Sequence, residues 1–464
     1  MKPYDLIRRG RISLVIIFLL WFSALASHAY TNYCVVANNT GALWPYTNWA
    51  MAASNIQQAI DVTLDGDTVL VSNGVYNVGG TTNAYSGNVL TNRVVINKAI
   101  TVMSFNNDPT NTIIKGSGSS DGQTNGVDAV RCVYMSANST LIGFMLTNGA
   151  TTANGGYYDK QGGALMCYSG PNLISNCLIT GNSAGGGDYG AIVAALGAMN
   201  TSLFNSRVIY NVCPTYVYVM RFCIISNCTV AGNNGSSALG SSYAYNSSIV
   251  SNVSGGGDSA GGGLNVNSIA WNCIIGWNFA SYSGAAHNGC QLNNCLIIGN
   301  RGYYNGATGG DCILNNCTVV GNYSIWYGAN NAVYAAGVGC MGVPNNSVCV
   351  NCIMWGNGNA GQDWAGSGIT LINCCTTTNT TGGAVGTGFI TNNPMFVDQG
   401  SGSGSTYAPG NLRLQNVSPC VNTGTNASWM NNGVDLDGRI RIRYGTVDMG
   451  CYERINSGTI IGLR

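Results

Sequence analysis

Two residue types recur here at spacings that could do chemistry. Cys177, Cys228, Cys273, Cys295, Cys317, Cys352 and Cys374 each follow an Asn directly and each lie five residues before a second Asn. Ser206 and Ser247 hold the same register in two further copies. A row of thiols can bind metal, form disulfides or pack as small apolar groups. Zinc wants two close Cys or His pairs converging on a tetrahedron. Only Cys349 and Cys352 have Cys-x-x-Cys spacing, and His287 is the only histidine beyond residue 29. Side chains in register on stacked strands point parallel, which does not suit a disulfide, and serine substitutes for cysteine in two copies. The column therefore reads as stacked filler, buried thiols behaving as small hydrophobes. Cys420 and Cys451 lie off this register and are candidates for a disulfide.

Carboxylates and aromatic rings are the other chemical groups. Asp188 and Asp258 occur in two "GGGD" stretches, Asp311 stands in a third register, and Arg207, Arg221 and Arg301 are scattered. Paired-carboxylate hydrolysis needs two acids within roughly 5–10 Å. Asp188 and Asp258 are three copies apart, about 14 Å at strand spacing, so solvated loop charges are the plainer reading. Asp435 and Asp437 in "DLDGRIR" are a candidate Ca²⁺ pair, with an Asp-Gly turn as the competing reading. Tyr282, Tyr304 and Trp326 recur every 22 residues, with Tyr303 and Tyr327 beside the last two. Facing outward, rings at that interval form a platform for sugar rings. Facing inward, they are core.

These groups must be positioned by a repeat. A seven-residue unit, Asn, Cys or Ser, any, Ile or Val, any, usually Gly, Asn, starts at Asn176, Asn205, Asn227, Asn246, Asn272, Asn294, Asn316, Asn351 and, degraded, Asn373. The unit is constant while the material between copies varies, as in a solenoid whose loops absorb insertions. Period-two alternation puts Cys and Ile/Val on one strand face. Cys223, Cys290 and Cys312 begin a second inward-facing segment upstream, with a bend at "NN" or "SN" between the two. The last Asn of each unit (Asn278, Asn300 and Asn322 among them, and Asn379 in the degraded copy) is expected to take a left-handed corner and to stack its amide into a ladder along the axis. At about 25 residues per coil, residues 68–392 make about 13 coils and a rod of about 60 Å.

This pattern resembles the right-handed parallel β-helix of the pectate lyase superfold. The stretch "NIQQAIDVTLDGDTVLVSNGVYN" (55–77) is similar to the opening of secreted members, where a short amphipathic helix caps the first coil. Near the other end, "NPMFVD" (393–398), "LRLQNVSPCVNTG" (412–424), "DLDGRIR" (435–441) and "VDMGCYE" (447–453) resemble in order the choice-of-anchor Q module that closes many bacterial surface β-helices. "GGAL" (162–165) and "GGGL" (261–264) are similar to repeats of polymorphic outer-membrane adhesins. The resemblance implies two functions. One is a non-catalytic rod that adheres or binds extracellular polysaccharide or cell-surface glycan. The alternative is a polysaccharide lyase or glycoside hydrolase, whose members use clustered acids, Ca²⁺ and an Arg or Lys base.

The first 29 residues read as a signal peptide: Lys2, Arg8, Arg9 and Arg11, an apolar run at 12–22, then Ser-His-Ala. Removing them leaves 14 Lys and Arg against 16 Asp and Glu, no basic field for nucleic acid, and no later run fit to span a bilayer. Only 8% of all residues are charged and 66 are glycine, which suits short strands and tight turns. The expected layout is a signal peptide (1–29), a β-helix with its N-terminal cap (30–392) and a closing module with a tail (393–464). No cofactor other than Ca²⁺ is expected.

Overall fold

A computed structural model of the chain describes residues 31–82, 89–136, 138–186, 190–195, 201–214, 216–255, 261–325, 335–339, 346–358, 363–365, 368–377 and 385–454. The chain is a right-handed parallel β-helix. A 14-stranded first sheet runs from Asn32–Val35 to Val385–Thr387, and a 12-stranded second sheet from Gly74–Tyr76 to Cys375–Thr376. An eight-stranded third sheet and a five-stranded ladder of two-residue strands complete the coils. Neighbouring strands are parallel and in register, as in Ile275↔Ile297↔Val319. These three residues are fully buried, so the interior is a stack of like residues, one per rung. One antiparallel pair, Thr81–Thr82 against Thr91–Asn92, ends the third sheet.

The helix α1 (Ile56–Val62) closes the N-terminal end. Asn55 caps it by accepting from the Gln58 amide, and Ile56, Ala59 and Ile60 face the core. Lys98 Nζ donates to the carbonyls of Ile60, Asp61 and Thr63 at 2.8, 3.0 and 2.7 Å. A cation thus satisfies the acceptors that a helix C-terminus leaves open.

The corners differ from expectation in one respect. The last Asn of the unit is not left-handed. The residue before it is: Gly181, Gly232, Gly299, Gly321 and Gly356 have φ of 61–67°, and Tyr210, Ser251 and Trp277 take the same conformation at 52–56°. Glycine dominates there because it alone has no Cβ to strain. The unit's first Asn is also left-handed, at φ 47–54° from Asn176 to Asn373, and this single residue turns the chain from the first sheet into the second. Asn tolerates it because its short side chain bonds locally. Asn379 lies outside the described residues.

Residues 393–454 fold back along the outside of the second sheet. Leu296, Ile298, Val320 and Ile353 point away from the coil interior and are buried beneath Phe396, Tyr407, Leu412, Leu414 and Met449. Each such side chain contributes about 1.5–3 kcal/mol when fully buried. Trp277 Nε1 donates to the Tyr407 carbonyl at 3.1 Å, and Arg441, fully buried, pairs with Glu453 at 3.1 Å. Among the described residues no helix is long and apolar enough to cross a membrane.

Candidate functional site

The ladder residues hold the coils from Asn182 onward at a defined rise. From Asn182 through Asn211, Asn233, Asn252, Asn278, Asn300, Asn322 and Asn357, the backbone N–H and Nδ2 of each residue both donate to the side-chain oxygen of the next. Nδ2 also donates to a carbonyl one coil back, such as Asn300 to Ile275 at 2.8 Å. The series ends on Asp363, whose Oδ1 accepts from Asn357 N and Nδ2 at 3.0 and 2.8 Å. Its Oδ2 accepts from Thr377 Oγ1 at 2.7 Å. A terminal rung needs only to accept, so a carboxylate serves. Burial raises its pKa.

The cysteine column is buried and free of disulfides, but its thiols do more than fill space. Cys273, Cys295 and Cys317 donate to the carbonyls of Trp271, Asn293 and Asn315, two residues earlier, at 3.2, 3.3 and 3.4 Å. The hydroxyls of Ser206 and Ser247 donate in the same way to Phe204 and Tyr245, both at 2.7 Å. The column therefore brackets the left-handed bend, and Ser replaces Cys because both donate. Burial pushes the Cys177 thiol up to about 11.

The aromatic candidates sit on the turn after the two-residue strands Phe279–Ala280 and Arg301–Gly302. Tyr282 and Tyr304 lie one rung apart with ring centroids at 4.8 Å and planes at 55°. Tyr303 packs edge-on to Tyr304 at 5.5 Å. Both column tyrosines are half-buried and Tyr303 is 43% exposed, so the column lies at the surface and outside the core clusters. Under it, His287 is buried 5.4 Å from the Tyr282 ring, with Nδ1 3.2 Å from Ser283 Oγ. Burial lowers its pKa to about 4, so it supports the turn as neutral imidazole. Trp326 and Tyr327 lie outside the described residues.

The acidic candidates do not gather. Asp188 and Asp258 lie outside the described residues. Asp311 is exposed at a left-handed bend, accepting from Asn346 N and Nδ2 at 3.1 and 3.3 Å. Asp435 is buried and spends Oδ1 on the amides of Asp437 and Arg439 at 2.9 and 2.7 Å and Oδ2 on that of Glu453 at 2.7 Å. Asp437 pairs with Arg413 and Arg439. The pair thus forms an Asp-Gly turn with its oxygens already engaged. Among the described residues no three His, Cys, Asp or Glu side chains are grouped as a metal site.

The candidate disulfide pair Cys420 and Cys451 is not bridged, and both cysteines are free. Cys420 packs in the same outer cluster as Cys375, whose thiol donates to the Asn392 carbonyl at 3.2 Å. The Cys451 amide donates to Thr318 Oγ1 at 3.1 Å. Thr318 and Cys375 are two rungs apart on the second sheet, so each cysteine is seated against a different coil.

No protein-family model matches the chain, and no curated protein matches it. Among solved structures it is similar to the pectate lyase Pel9A, with 15% identity over 92% of this chain and 98% of that one and a TM-score of 0.45. XylC in complex with xylose matches at 10% identity over 79% and 87%, with a TM-score of 0.41. An alginate lyase in complex with a trisaccharide matches at 11% over 84% and 93%, with a TM-score of 0.39.

Proposed function

We propose that this chain is an exported β-helix scaffold that binds extracellular polysaccharide on its tyrosine-bearing turns without cleaving it. The supporting observation is the surface pair Tyr282 and Tyr304, spaced at one rung and flanked by exposed Tyr303. Rings fixed at strand spacing give an extended ligand repeated contacts without much loss of side-chain freedom. Residues 1–29 direct export. Residues 393–464 act as a choice-of-anchor-like closing module that protects the flank of the rod.

The test is affinity electrophoresis through gels containing neutral or uronic polysaccharides. Wild type is retarded by at least one polymer. Tyr282→Ala with Tyr304→Ala removes two ring contacts worth about 1 kcal/mol each, so retention weakens about 30-fold with an unchanged melting temperature. Unchanged retention of the double variant rejects the tyrosine surface.

A further inference from the structure

A cavity is built where the coil bends from the first sheet into the second and meets residues 434–438. It holds about 350 Å³ and is lined by Asn246, Ser248, Asn272, Ile274, Val434 and Asp435, among others. That volume lies within the range of small-ligand sites. The two asparagines are the left-handed bend residues of successive coils, at φ 47° and 53°.

Their amides form a short chain. Asn294 Nδ2 donates to Asn272 Oδ1 at 2.7 Å, and Asn272 Nδ2 to Asn246 Oδ1 at 3.2 Å. Asn294 Nδ2 also donates to the Val434 carbonyl at 2.9 Å. The row is therefore stopped at one end by the C-terminal segment. At its other end the Asn246 Nδ2 makes no bond among the described residues.

Aromatic rings precede these asparagines on the outer face of the first sheet. Tyr245 and Trp271 are register partners. Tyr245 is 36% exposed, and Trp271 meets Trp429 of the C-terminal segment edge-on at 5.2 Å. Phe204, two rungs before Tyr245 in the same column and also 36% exposed, extends the lane. Rings beside a row of amides, each able to donate and accept, suit the faces and hydroxyls of a sugar. Among the described residues, Asp435 is the only charged side chain lining the cavity, and three backbone amides already engage it.

We infer that this lane binds a neutral glycan, with one terminal sugar in the cavity against residues 434–438 and the chain running past Tyr245 toward Phe204. The inference shares with the proposed function only the ligand class, since the residues are different.

The test is calorimetric titration of the full chain with neutral β-linked hexasaccharides and with a uronic hexasaccharide. The expected result is binding of a neutral hexasaccharide that is weakened at least tenfold by Tyr245→Ala and by Ser248→Trp. The second substitution fills the cavity from a half-buried, outward strand position. Tyr282→Ala with Tyr304→Ala leaves this affinity intact, and a bulky tag on one chosen end of the sugar abolishes it. Any of three results overturns the inference: no neutral hexasaccharide binds at millimolar concentration, the uronic sugar binds preferentially, or both lane variants keep wild-type affinity in folded protein. The third result, when loss of binding is confined to the tyrosine double variant, leaves the proposed function standing.

Discussion

Substitution of Asn300 isolates the ladder's contribution. Its carboxamide accepts from Asn278 N and Nδ2, both at 3.0 Å, and donates to the carbonyls of Ile275 and Ile298 at 2.8 and 3.2 Å and to Asn322 Oδ1 at 2.9 Å. The site is fully buried. In Asn300→Ala the Asn278 backbone N–H is left unpaired in a dry interior, costing about 1–3 kcal/mol. The four other lost bonds add about 0.5 kcal/mol each, because their partners keep a second bond, for a total of about 3–5 kcal/mol. Asn300→Asp keeps both acceptor contacts but turns a carboxylate oxygen toward two carbonyls and an amide oxygen. That carboxyl must take up a proton to fit, so the cost of the variant rises with pH. A rod of repeats need not unfold in one step, so hydrogen exchange resolved to peptides spanning 272–322 is the appropriate assay. Protection there should fall by two to three orders of magnitude in Asn300→Ala and remain near wild type around α1. A loss below tenfold, or an Asn300→Asp effect independent of pH, refutes the reasoning.

Four further outcomes follow from the contacts described. Asp363 has its pKa raised by burial, so the folded state holds that proton to higher pH than the unfolded chain. Stability from this group is present below the unfolded carboxyl value and lost as pH rises through the folded one. Asp363→Asn should therefore gain on wild type in urea melts as pH goes from 4 to 7, and a constant difference rejects this. Cys295→Ser should cost under about 1 kcal/mol because serine donates at this register already. The eighteen described cysteines, all buried, should resist iodoacetamide until the chain unfolds, and rapid native labelling of Cys273, Cys295 or Cys317 contradicts their placement. Gly321→Ala drives a Cβ into the Tyr407 ring at φ 67°, so it should speed limited proteolysis within 393–454. Gly438→Ala, with φ 80° and open space around it, carries the backbone strain of about 1–2 kcal/mol alone and is the control.

What is legible in the residues is whatever repeats. The unit from Asn294 to Asn300 recurs at fixed internal spacing, so strand, bend and ladder can all be read from it. The left-handed corner is displaced by one residue from its expected place because Gly299 and Asn300 are both tolerant residues, and only backbone angles separate the one that turns from the one that bonds. Asp363 escapes notice because a terminal rung has no successor to set its spacing. The covering of the second sheet is hidden for a different reason. Leu296, Ile298, Val320 and Ile353 interleave with inward residues, and a continuous apolar run does not say what covers its second face. The Trp271–Trp429 contact joins residues far apart in the chain, with no local signal for it. Tyr282 and Tyr304 are legible as a column, but whether it faces in or out depends on the turn that carries them.

Binding without cleavage is tested by incubating the full chain with the polysaccharide that retards it most, followed by mass analysis of the recovered polymer. A scaffold that binds without cleaving returns bound polymer of unchanged length, with binding reduced when Tyr282 and Tyr304 are replaced by alanine. Release of shorter oligosaccharides by wild type at a rate that scales with protein concentration would contradict it.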